Sequence, residues 1–80
     1  MKGTVELIND QRGMAAVITE NGGYTSFELL GHEVELGDII SGDLEALGGE
    51  TFHNETQDED IEVCVEYIYG SRETALRAIS

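Results

Sequence analysis

The chain has 80 residues, no proline, one cysteine and 17 acidic side chains against four Lys and Arg, a formal net charge of −13 at pH 7. A chain this short forms one small domain that buries only roughly 60% of the surface its unfolded form exposes, and a single thiol excludes an internal disulfide framework. So acidic a surface repels phosphate chains and anionic lipid headgroups, which argues against nucleic-acid and membrane partners and leaves solubility, or attraction to a basic partner, as what the charge serves.

The lone Cys64 points to a reducing compartment. The sequence shows no charged leader followed by an apolar run, and no apolar run near the ~18 residues of a membrane span. A cytoplasmic protein is therefore expected, and the glycosylation-type triplet Asn54-Glu55-Thr56 is a chance match.

In chain order, Lys2–Asn9 alternates β-branched and polar residues and predicts a strand. Asn9–Gly13 is a turn, because Asn and Asp bond their own backbone and Gly13 supplies a positive φ. Met14–Thr19 is a second strand. Glu20-Asn21-Gly22-Gly23 is a hairpin signal, and Tyr24–Leu30 follows as a third strand with Tyr24, Ser26 and Glu28 opposite Thr25, Phe27 and Leu29. Gly31 ends it. Asp38–Ala46 reads as strand four. Gly48-Gly49 breaks the pattern, so Thr51–His53 is a short extension or a bulged continuation. Asn54–Asp60 reads as a solvated loop. Ile61–Tyr69 is a strong strand, with Ile61, Val63, Val65, Tyr67 and Tyr69 on one face. A helix follows with Ser71 as N-cap, Glu73 in its first turn, Arg77 in its last, and an apolar stripe of Ala75, Leu76 and Ile79. So short a helix is marginal alone and must dock on the sheet. Five strands with no helix among the first three indicate a small all-β antiparallel barrel with a short C-terminal α-helix.

Lys2-Gly3-Thr4-Val5-Glu6-Leu7-Ile8-Asn9, then Asp10-Gln11-Arg12-Gly13-Met14-Ala15-Ala16-Val17, resembles the opening hairpin of cold-shock domains. That family begins Lys-Gly, a variable residue, Val-Lys-Trp-Phe-Asn, and continues after a charged turn as Lys-Gly-Phe-Gly-Phe-Ile. The matches at Lys2, Gly3, Val5, Asn9 and Arg12-Gly13 fall on structural positions. The resemblance implies an oligonucleotide/oligosaccharide-binding (OB) type barrel over residues 1–70, with residues 71–80 added as a helix packed on it.

The departures fall on function. Where the family places a phosphate-contacting lysine and a base-stacking tryptophan, this chain has Glu6 and Leu7. The paired aromatics of the next motif are Met14 and Ala16, and Thr25-Ser26-Phe27-Glu28-Leu29 keeps one aromatic of the run that follows. On this alignment Leu7, Met14, Phe27 and Tyr24 make a candidate interaction surface, an apolar patch rimmed by Glu6 and Glu28; the competing arrangement has the C-terminal helix covering it.

His32 and His53 read as loop histidines, Cys64 as a packing residue, and the Asp58–Glu62 run with Glu55 as a solvated acidic loop without the glycine turn of a calcium site. No phosphate loop, paired Cys/His spacing or nucleophile elbow is present. The residues thus predict a non-enzymatic module with no catalytic, cofactor or metal site, contacting an unidentified protein or a second copy of itself. The alternative is a divergent single-stranded nucleic-acid binder using Lys2, Arg12, Tyr24 and Phe27. A third reading, mimicry of DNA by the acidic surface, needs two rows of carboxylates at phosphate-like spacing.

Overall fold

The computed structural model covers Met1–Ser80 and contains six strands and one helix: β1 (Lys2–Asn9), β2 (Met14–Thr19), β3 (Tyr24–Leu29), β4 (Ile39–Ser41), β5 (Gly48–Asn54), β6 (Glu59–Gly70) and α1 (Arg72–Ile79). The strands close into a barrel in the order β1-β2-β3-β6-β5-β4, with β4 pairing back onto β1. Every neighbouring pair is antiparallel. A closed ring of five strands cannot alternate direction at every step, whereas six can, so the extra strand lets the ring close with antiparallel ladders throughout.

The sixth strand corrects the expected count of five. The run predicted as one strand over Asp38–Ala46 is extended only at Ile39–Ser41. Gly42 then adopts φ 143°, where a Cβ would lie 2.9 Å from the Phe52 ring, and the chain turns so that Leu44 enters the core from a loop. The Thr25 hydroxyl fixes that loop by donating to the Leu44 carbonyl at 2.7 Å. Gly48-Gly49, read as a break, opens β5, and the acidic segment after Asn54 is a turn only as far as Asp58 before β6 begins at Glu59.

The interior holds eleven buried side chains, centred on Phe27 and Phe52, whose rings meet edge to face at 5.6 Å. Burying aromatic and branched residues here supplies the main driving force for a chain of this size. The loop between β3 and β4 plugs one end with Val34, and Asp38 pins that loop: its buried carboxylate accepts from the Glu35 amide at 3.0 Å, from Asn54 at 2.8 Å and from Gln57 at 2.7 Å.

Bulges decide which residues face outward. In β1, Val5 pairs with Val17 and Leu7 with Ala16, so Glu6 is an extra residue and the alternation inverts there. Val5 points into the core, Leu7 points out, and Ile8 packs on the core again. In β6 the register slips between Val65 and Tyr67, and again before Gly70. Ile61, Val63 and Val65 are buried as expected, but Tyr67 and Tyr69 are exposed and Ile68 takes the inward position.

Helix α1 opens with a capping box: Thr74 N donates to the Ser71 hydroxyl and Ser71 N to the Thr74 hydroxyl. Glu73 and Arg77 pair along its outer face at 2.8 Å. Ala75 and Ile79 are buried against the barrel, whereas Leu76, expected in the same stripe, stands 41% exposed. The far end is tied down by the β1–β2 turn, where Asn9 Nδ2 donates to the Ile79 carbonyl at 2.7 Å and Arg12 donates to the Ser80 carbonyl.

Candidate functional site

The outer face of β1–β3 is where the sequence places its candidate surface, and α1 lies across it. Leu7, Met14, Ala16 and Tyr24 form one buried cluster with Ala75 and Ile79. The patch expected from the alignment is therefore apolar and contiguous, but it is sealed inside the molecule. Phe27 does not belong to it. Its cross-strand partner is Ala15, on the inward face, and its ring is fully buried in the barrel interior. Ser26, paired with Ala16, takes the place on the helix-covered face that the alignment assigns to Phe27.

Tyr24 sits at the margin of the covered face. Its hydroxyl donates to Glu6 Oε1 at 2.5 Å, and this bond to an anion, helped by burial and by the Glu6 charge, raises the phenol above its usual pKa of 10.0 despite an opposing effect of Arg72. The bulge that turns Leu7 under the helix thus also brings Glu6 to the tyrosine. The remaining residues of the nucleic-acid alternative are scattered. Lys2 pairs with Glu55 at 3.0 Å, and Arg12 lies at the helix C-terminus. With Tyr24 and Phe27 buried, the four share no exposed surface.

The other titratable candidates have local partners. His53 lies between Asp60 at 2.9 Å and Asp58 at 3.4 Å. The hydrogen bond to Asp60 raises its pKa above 6.5; burial opposes the rise, and the charges of Asp60, Asp58 and Glu55 reinforce it. Cys64 is a half-buried free thiol facing Glu28 on β3 and Gly49 on β5. No group of three or more His, Cys, Asp and Glu is arranged to hold a metal ion.

Two recesses were not foreseen. A cleft of about 860 Å³ runs along the end of β1 and into the turn after it, from Glu6 to Asp10, facing the loop that carries His32–Leu36. A smaller groove of about 400 Å³ lies between the end of β6 and the start of α1, beside Tyr67 and Tyr69. The Ser26 hydroxyl, buried without a hydrogen-bond partner, lies at the inner side of that groove. Strand alternation alone cannot announce either recess: the first depends on the path of the β3–β4 loop, the second on the register slips near Tyr67 and on the docking of α1.

No protein-family model, curated protein or solved structure matches the chain. No helix is long and apolar enough to cross a membrane.

Proposed function

We propose that this chain is a non-enzymatic interaction module: a cold-shock-like barrel that has given up nucleic-acid binding and works by contacting protein. The observation that supports it most is the cluster of Leu7, Met14 and Ala16 with Ala75 and Ile79. At the positions where cold-shock domains stack bases, this chain has aliphatic side chains, and they are spent on holding its own helix. Each stacked base contributes ~1–3 kcal/mol. Losing three or four platforms removes about 4–8 kcal/mol, or roughly a thousandfold to a millionfold in affinity. A net charge of −13 adds repulsion to that loss.

The alternative, a divergent single-stranded nucleic-acid binder, draws support from a different place: Tyr67 and Tyr69 expose 58% and 70% of their surface on β6. Fluorescence titration of labelled oligo-dT and oligo-U at ~150 mM salt separates the two. The module reading expects no saturable binding. Micromolar binding that is lost in Tyr67→Ala and Tyr69→Ala overturns it in favour of the alternative.

A further inference from the structure

The cleft beside β1 combines three features. First, β1 has a free edge. Its pairing with β4 ends at Thr4, and Val5 bonds to Asp38 and Gly37 of the loop; from Glu6 to Asn9 the strand has a backbone partner only in β2. Second, the cleft has apolar walls, with Ile8 and Leu29 half-buried on one side and Val34 and the largely exposed Leu36 on the other. The loop wall is preformed, because Asp38 holds the turn from Glu35 through both its backbone and its carboxylate. Third, the rim is acidic: Asp10, Glu33 and Glu35 line it, and none is in an ion pair.

We propose that this cleft takes an extended, lysine- or arginine-bearing segment of a partner protein, added as a strand to the free edge of β1 at Glu6–Asn9. The proposal rests on the interaction-module reading and names its partner chemistry. A strand added to a sheet edge gains main-chain hydrogen bonds along the edge, and its side chains alternate between two faces. Here one face of the segment meets Ile8, Leu29 and Val34 while the other meets the carboxylates. Four residues of free edge span about 13 Å, enough for a short segment rather than a large interface. Charge selects the occupant. A second copy of this chain brings 17 acidic side chains and four basic ones, so it is repelled where a basic segment is drawn in.

The test uses the full chain, isotope-labelled for amide NMR, titrated at ~50 mM salt with a capped Lys-Val-Lys-Val-Lys peptide. Two further peptides serve as comparisons: one with alternate backbone nitrogens methylated, and one with Glu in place of Lys. The proposal expects shifts centred on Glu6–Asn9 and Glu33–Leu36, loss of binding on N-methylation, and binding at least about tenfold weaker in the double variant Glu33→Lys, Glu35→Lys. Both substituted side chains are exposed, so the fold tolerates the change. Equal binding of the N-methylated or the Glu peptide, shifts confined to Tyr67–Gly70, or no binding at all overturns the proposal. A parallel titration with oligo-dT separates this from failure of the underlying reading: oligo-dT binding brings down the module reading itself, whereas silence toward both ligands brings down only the cleft.

Discussion

Asp38 shows how one side chain sets the geometry of a cleft. Burial pushes its carboxyl pKa upward, but hydrogen bonds from Asn54, the Glu35 amide and Gln57 outweigh that and hold it below 3.8. A depressed folded-state pKa stabilises the fold above the unfolded value, and the benefit is lost as pH falls through the folded one. Asp38→Ala leaves the buried Asn54 amide without its carboxylate partner and is expected to cost about 1–3 kcal/mol in urea unfolding at pH 7. The gap between wild type and variant then narrows below pH 3.8. A gap that stays constant down to pH 2 contradicts this account. His53 carries the opposite sign. Its raised pKa means that its contacts with Asp60 and Asp58 help the fold below 6.5 and fade as pH rises through the folded value. An NMR titration is expected to place its midpoint above 6.5, and Asp60→Asn to bring it down.

Among the elements, α1 is the one whose packing bears on function. Ile79 and Leu76 are both apolar helix residues, but only Ile79 is buried. Ile79→Ala is expected to cost about 2–4 kcal/mol, and Leu76→Ala well under half of that. Thermal melts of the two variants check the contrast, and equal losses contradict it. The helix, its Ser71 cap and its need to dock were all legible in the sequence, as were the first three strands, because alternation and glycine turns mark them. The rest was hidden for local reasons. Gly42 and Leu44 continue the look of a strand while the chain turns away, and Gly48-Gly49 looks like an interruption while it pairs with Val65 and Cys64. The bulges at Glu6 and near Tyr67 invert the faces without any composition signal. Alternation in Tyr24–Leu29 does separate Tyr24 from Phe27, so the alignment that set both rings on one surface conflicts with the period-two pattern of its own strand.

At the scale of the whole molecule, charge and closure govern behaviour. Six antiparallel strands close the barrel, with β1 unpaired on one side at Glu6–Asn9, and 17 acidic side chains against four basic ones set the molecule's charge. Self-repulsion at −13 is screened by salt, so the melting midpoint is expected to rise between ~20 mM and ~300 mM NaCl; a fall contradicts this. Helix α1 covers the outer face of β1–β3, and on the interaction-module proposal that face stays closed to a polynucleotide. Methyl NMR spectra recorded while oligo-dT is added report on that face. The expected result is that cross-peaks linking Leu7 and Met14 to Ala75 and Ile79 persist unshifted throughout. Loss of those cross-peaks together with saturable shifts at Leu7, Met14 and Ala16 would contradict it.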